Sequence, residues 1–348
     1  MGGETKTPHT EDQMSIELIQ STPEFLALKE DWNNLLSSSA SHVPFLRHEY
    51  LASWWTTMGG GEWDEGSLAI LVDRDPDGSL SAIAPLFITG DQVMFLGSYQ
   101  ISDYLDLIST PERLSSFVPA LFDFIENGNF PTWGALDLYN LPEESPTLPI
   151  LLDRAGRSGY KITEEVISLA PYLQLPGSWQ DYLDGLKARY RRDIEKKIAN
   201  ADHYFLPVSW YIVNEEKILN DEMESFLELM AKNPKKKAFL TDKMAEQMRI
   251  SAREAFREGW LQLAFLQVGD IKAAGYLNFD FDDQIWIYNS GIDPLFDNLS
   301  PGWVLLGKII NWAIDQGKVG LDFMRGSETY KYQFGGLDKK VLRLKIEK

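Results

Sequence analysis

The stretch Tyr288-Asn-Ser-Gly-Ile-Asp-Pro-Leu-Phe-Asp-Asn-Leu-Ser300-Pro-Gly-Trp303 carries a strand into a helix through one loop. Residues 284–288 read as a strand, and the chain leaves it through Gly291. Ser300 is a favoured helix N-cap. Pro301 suits the first helical position because its missing N–H would go unpaired there anyway. The spacing predicts a helix over 301–316 that stops at Gly317, then a strand over 319–324. Strand, helix and strand in that order predict a crossover unit. A helix start offers free N–H groups and a positive dipole end, and Gly302 leaves space for close approach, a geometry that suits a pyrophosphate. An ordinary capped helix has the same signature, so the stretch speaks first for the fold.

Upstream, helices are predicted over 223–230 and 242–258 and strands over 261–268 and 271–279, with Gly269-Asp270 turning the strand pair. The first half has the same order. A strand over 15–19 precedes a helix over 25–36, with Phe25, Leu28, Trp32 and Leu35 at helical spacing. Tyr50, Leu51, Trp54 and Trp55 mark a second helix. Strands follow over 68–72, 80–87 and 92–96, the first two joined by Asp77-Gly78, a strong hairpin signal. A helix over 113–125, a strand over 135–139 and a helix over 148–157 complete the half. Gly78 and Gly269 lie 191 residues apart (269 − 78) in matching positions, as a duplication would place them. The fold class expected is α/β with mixed α+β sheets, in two tandem lobes. Pro171, Pro176 and Gly177 set the boundary, giving lobes at 14–170 and 171–348 after a disordered tail at 1–13.

In 348 residues, 44% hydrophobic and 12% aromatic composition supplies real cores, and the length favours two domains. No apolar run approaches a membrane span and no leader pattern opens the chain, so a cytoplasmic protein is expected. There are no cysteines, which removes disulfides and thiolate nucleophiles. The net charge of −19 is uneven. Residues 1–166 hold 8 Lys+Arg against 26 Asp+Glu (−18), and 167–348 hold 25 against 26 (−1). So acidic a body repels duplex nucleic acid, whereas the near-neutral half tolerates an anionic ligand. The four histidines, His9, His42, His48 and His203, lack metal-ligand spacing, so no metal is expected. Neither a Gly-x-Ser-x-Gly elbow nor a P-loop is present, and Gly59 to Gly61 lacks the setting of a dinucleotide site.

Three further stretches carry polar groups. In Leu321-Asp322-Phe323-Met324-Arg325-Gly326-Ser327-Glu328-Thr329-Tyr330-Lys331, a strand delivers Asp322, then breaks, and Glu328, Tyr330 and Lys331 crowd the loop. Glu328 suits a proton acceptor for an attacking amine and Lys331 a phosphate or oxyanion ligand, although a Glu–Lys surface pair would look the same. Residues 183–198 read as one amphipathic helix with Arg189, Arg192 and Lys196 opposite its apolar stripe. With Lys235-Lys236-Lys237 that face could meet a phosphorylated substrate or an RNA end, or simply solvent. Ser102-Asp103-Tyr104-Leu105-Asp106 could hold an amine or sugar acceptor, or be merely a turn.

Taken jointly, Tyr288-x-x-Gly291-x-Asp293-Pro294, Ser300-Pro301-Gly302 and Asp322-Phe323-x-x-Gly326-x-Glu328-x-Tyr330-Lys331 resemble bacterial acetyltransferases of the cellulose-biosynthesis-like type. That family is a double-GNAT relative of the Fem-type peptidyl transferases. Pro44-Phe45, Ala84-Pro85-Leu86, Asp103-Tyr104-x-Asp106 and Tyr182-Leu183 also fit, so the resemblance covers most of 16–335. It implies two GNAT-like lobes, an acyl donor (acyl-CoA, such as acetyl-CoA) in the second, and an acceptor in the groove between them. The donor would meet Ser290, Gly291, Ser300, Gly302 and Trp303, while Glu328, Tyr330, Lys331 and Asp322 would form the reacting centre. The acceptor, a small molecule, saccharide or peptide amine, would meet Asp103, Tyr104, Asp106, Arg189 and Arg192. Direct transfer in a ternary complex is expected, with backbone N–H groups near Ser290 serving the oxyanion. Two alternatives stand: a Fem-type transferase drawing on aminoacyl-tRNA, with tRNA the lesser donor, and a non-catalytic GNAT-like module in polysaccharide biosynthesis.

Overall fold

The structure, a computed structural model, describes residues 15–61, 65–97 and 99–348. The tail expected at 1–13 lies outside the described residues. In the first half the order is β1 (Glu17–Ile19), α1 (Thr22–Ala27), α2 (Lys29–Leu36), α3 (His48–Met58), β2 (Ser67–Leu68), β3 (Ile70–Arg74), β4 (Leu80–Ala84), β5 (Leu86–Thr89), β6 (Gln92–Phe95), β7 (Ile108–Ser109), α4 (Pro111–Glu126), β8 (Ala135–Pro142), α5 (Thr147–Arg157) and β9 (Lys161–Gln174). The second half adds α6 (Trp179–Gly185), α7 (Ala188–Asp202), β10 (Val208–Ile212), α8 (Glu216–Ala231), α9 (Pro234–Phe239), α10 (Asp242–Arg257), β11 (Leu261–Val268), β12 (Ile271–Phe281) and β13 (Gln284–Ile292). A short 3-10 helix (Pro294–Leu299), α11 (Pro301–Asp315), β14 (Gly320–Asp322), α12 (Thr329–Gln333) and β15 (Leu337–Glu347) close the chain.

Four strands form a small sheet, β1-β3-β4-β7. Eleven form a second sheet, β10-β11-β12-β13-β14-β9-β15-β8-β6-β5-β2, that runs through both halves. Each half contributes one parallel pair to it: β6 with β8, crossing through α4, and β13 with β14, crossing through α11. The C-terminal strand β15 lies between β9 and β8, so the end of the chain completes the sheet of the first half. β9 runs through Ala170 and Pro171 to Gln174 without a break. Helix packing also joins the halves, because α3 meets α10 through buried polar contacts. Ser53 and Ser251 hydroxyls lie 3.0 Å apart, and Thr57 donates to Gln247 at 2.6 Å.

Four stretches differ from the reading of the sequence. Residues 80–87 are two strands, β4 and β5, in different sheets, because Pro85 offers no N–H to continue a ladder. Residues 25–36 belong to two helices meeting at Leu28. The stripe over 183–198 is likewise broken where Leu186 turns extended (ψ 153°), leaving α6 and α7. Of the strand expected over 319–324, only Gly320–Asp322 pairs, since Met324 adopts a left-handed φ of 60°.

Two layers flank the second half of the sheet. On one face Ile285, Ile287, Leu321 and Phe323 pack under Val304, Leu305 and Ile309 of α11. On the other face Leu263, Phe265 and Leu277 pack under Phe226 and Met230 of α8 and Met248 of α10. The sheet therefore separates an α11 face from an α8–α10 face, and any opening in it connects the two.

Candidate active site

Such an opening occurs between the parallel strands. β13 and β14 pair at Gln284–Gly320, Ile285–Leu321 and Trp286–Asp322, where β14 ends while β13 runs on to Ile292. Past that point the chains part around a cavity of about 160 Å³, lined by Tyr288, Asn289 and Ser290 on one side and Phe323, Met324 and Arg325 on the other. Glu328, Tyr330 and Lys331 close it from the loop, Lys236 enters from α9, and Asp103 comes from the first half. The three residues of the Glu-x-Tyr-Lys run thus share a wall, as their spacing suggested.

Their roles divide by contact. Lys331 is buried, and its ammonium donates to the carbonyls of Met324 (3.0 Å), Arg325 (2.9 Å) and Gly326 (3.0 Å). It also pairs with Glu328 at 2.9 Å. Its charge is already matched by Glu328 and its donors by the carbonyls, so the expected phosphate or oxyanion ligand becomes a clamp that shapes the 324–328 loop. Glu328 is 59% exposed at its side chain and remains accessible at the cavity rim. Burial pushes the Tyr330 hydroxyl up, keeping it a proton donor at neutral pH.

Asp103 pairs with Arg325 at 2.6 Å, and Arg325 also donates to Asn140 at 2.8 Å, which ties the first half to the cavity floor. Burial raises the Asp103 carboxyl against the pull of Arg325. Tyr104 and Asp322 lie instead on a separate cavity of about 290 Å³, shared with His42, Trp286 and Lys339. There the Tyr104 hydroxyl donates to both carboxylate oxygens of Asp322 (3.0 and 2.9 Å), and the Met324 N–H donates to one of them at 2.7 Å. Burial pushes the Asp322 carboxyl up to about 7. Asp322 therefore does not share the cavity of Glu328 and Tyr330. Asp106 is fully enclosed, accepting from Ser41, from Ser145 at 2.5 Å and from the Leu107 N–H at 2.8 Å. It fastens loops and faces no ligand space. Arg189 and Arg192 are exposed on α7 and line none of these cavities.

The helix start differs from its sequence signature. Ser300 sits at φ 51° and makes no side-chain cap; its hydroxyl accepts from Lys197 at 2.7 Å. Lys197 also lies 4.6 Å from the Trp303 ring. No basic residue lies in the loop before Pro301, but α7 brings one to it. Gly302 is buried, and a Cβ there would meet Ile292 Cδ1 at 2.6 Å, so its missing side chain admits a core contact and not a ligand. Gly291 similarly admits the end of α8, since a Cβ would lie 2.5 Å from the Met230 nitrogen. The Ser290 N–H, expected near an oxyanion, donates to Asn289 Oδ1 at 2.9 Å.

Arg325 and Asn289 were given no role by the sequence, Tyr288 stood there only as part of a motif, and Lys236 only within a basic run. Lys236 was one of three consecutive lysines, and only the fold turns it inward while Lys235 and Lys237 stay exposed. Among the described residues no group of three or more His, Asp or Glu could hold a metal ion, and no helix is long and apolar enough to cross a membrane.

Comparison with known proteins fits this geometry. Residues 188–332, which contain α7 through Lys331, match the acetyltransferase (GNAT) domain family. No curated protein matches the chain. Among solved structures, FemX superposes with a TM-score of 0.62 at 10% identity, covering 95% of this chain and 97% of that one. A conserved protein of unknown function from Bacteroides thetaiotaomicron VPI-5482 gives 0.64 at 12% identity, covering 95% and 100%. L-PGS from Bacillus licheniformis gives 0.56 at 9% identity, covering 91% of each chain. At such identities the likeness is one of fold, and it extends over both halves.

Proposed function

We propose that the chain is an N-acyltransferase that moves an acyl group from an acyl-CoA, acetyl-CoA being the simplest, onto an amine in a ternary complex. The parting of β13 and β14 carries this reading. It opens the sheet between the α11 face, where Lys197 and Trp303 stand at the helix start, and the opposite face, where Lys236, Tyr288 and Asp103 stand. Parted strands leave peptide groups without ladder partners, and an amide-bearing arm of coenzyme A can take them up. Lys197 and the α11 dipole suit the pyrophosphate at the other end of that arm.

An acyl carbonyl lying in the parting is open to an amine arriving from the opposite face. The amine nitrogen bonds to the carbonyl carbon, and Glu328 accepts the proton it sheds, directly or through a water. Collapse of the tetrahedral adduct breaks the carbon–sulfur bond, and Tyr330 donates its proton to the departing sulfur. The proton on Glu328 then restores Tyr330. Lys331 positions Glu328 by holding the loop. The acceptor is a small molecule, a saccharide or a peptide, with polysaccharide biosynthesis one setting for it. A tRNA-borne aminoacyl donor is the second reading, supported by exposed Arg189 and Arg192 on α7.

Calorimetry with acetyl-CoA and with aminoacyl-tRNA separates the readings. Saturable binding of acetyl-CoA is expected. Binding of the tRNA alone would replace the donor, and silence with both would leave a non-catalytic module.

A further inference from the structure

The cavity in the sheet does not end at Ser290. A second space of about 320 Å³ adjoins it on the α8–α9 side, lined by Lys232, Asn233, Gly291 and Asp297. Lys236 and Ser290 belong to both linings, so the two spaces meet at the Lys236 ammonium. The charges around it are unevenly matched. Arg325 is paired with Asp103, Lys331 with Glu328, and Lys232 with Asp293 at 2.5 Å. Lys236 instead donates to neutral oxygens: the Ser290 carbonyl (2.5 Å), Asn289 Oδ1 (2.9 Å) and the Ser290 hydroxyl (3.2 Å). The acid whose charge acts on it, Glu328, is already held by Lys331.

A half-buried cation with neutral partners is stabilised by an anion that enters beside it, because it has already lost part of its water. Burial does depress Lys236, down to about 8. The lysine also stands on the face opposite the α11 start, which leaves it to the acceptor and not to the donor phosphates.

We infer that Lys236 binds an anionic group of the acceptor, so that the substrate is an amine that also carries a carboxylate or phosphate. This rests on the acyltransferase reading. The amine lies in the 160 Å³ cavity before Glu328, and the anion lies at the junction with the 320 Å³ space. The ammonium exchanges its neutral partners Asn289 and Ser290 for the incoming charge. Glu328, the proton acceptor, at one end and Lys236 at the other give the site a polarity that a plain alkylamine would not use.

The test is acetyl transfer from acetyl-CoA to matched acceptors: L-lysine against cadaverine, L-alanine against ethylamine, and phosphoethanolamine against ethanolamine. The carboxylate and phosphate pairs distinguish the two anions. Wild type should favour the anionic member of at least one pair by about 10- to 100-fold in kcat/KM, the range for a hydrogen bond to a charged group. In K236M that ratio should fall toward one, chiefly through KM, and K236R should restore most of it. K235M, altering an exposed neighbour, should keep the wild-type ratio. A wild-type enzyme indifferent to the anion, a K236M enzyme that keeps the preference, or acetyl-CoA binding without transfer to any of the six amines would overturn the inference while leaving donor binding intact. Failure to bind acetyl-CoA would instead strike the parent reading.

Discussion

Replacing Asp322 by Asn should make the protein more stable at alkaline pH relative to wild type, and much less so under acid conditions. Asp322 is 3% exposed, and its oxygens are held by neutral donors, the Tyr104 hydroxyl and the Met324 N–H. Burial lifts its carboxyl from 3.8 to about 7. A folded value above the unfolded one means that the contribution is full below pH 3.8 and is lost as pH rises through about 7. At about 1.4 kcal/mol per pH unit, the complete loss is about 4 kcal/mol. Roughly half is already spent at pH 5.5, which leaves about 2 kcal/mol between pH 5.5 and 8.5. Asparagine can accept the same two hydrogen bonds through its carbonyl oxygen and does not ionise. Urea unfolding of both proteins at the two pH values measures the effect, and the difference between them cancels the other titrating groups. A wild-type-minus-variant difference that stays constant with pH would refute the assignment of a buried, proton-binding Asp322.

Glu328→Gln should lower kcat for acetyl transfer by about 10²- to 10⁴-fold, the usual worth of a positioned proton acceptor, while calorimetry finds the acetyl-CoA Kd unchanged. Lys331→Ala leaves three carbonyls without the ammonium that joined them and should cost about 3 kcal/mol in urea unfolding, about 1 for each; an unchanged midpoint would deny the clamp. Lys197→Ala should raise the acetyl-CoA Kd about tenfold, the worth of one charge-assisted contact, with Lys196→Ala as the exposed control.

The crossover 284–322 was legible because its signals are local: a strand, a glycine exit, a proline at the helix start and a glycine stop. Spacing also brought Glu328, Tyr330 and Lys331 together, since a short loop can hardly separate them. What the sequence hid was set by distant partners. β15 alternates Leu342, Leu344 and Ile346 with charged residues, yet nothing in that pattern names β8 and β9 as its neighbours. β9 is largely exposed along its first half and shows no clean alternation. Lys197 stood among other basic residues on a helix, and its arrival at Ser300 depends on how α7 packs against α11. Lys236 was inconspicuous for the same reason. Tyr104 and Asp322, 218 residues apart, find each other only because the loop after Asp103 crosses the end of β14. Gly302 misled because room at a glycine can be filled by the protein, here by Ile292.

Whether the parting of β13 and β14 receives the acyl end of the donor is decided by a structure with a non-hydrolysable acetyl-CoA analogue. The acyl carbonyl should lie beyond the Trp286–Asp322 pair, between Ser290 and Phe323, with Tyr330 beside the sulfur position and the pyrophosphate at Lys197. An analogue bound with its acyl end outside that parting, or in the Asp322 cavity, would contradict it.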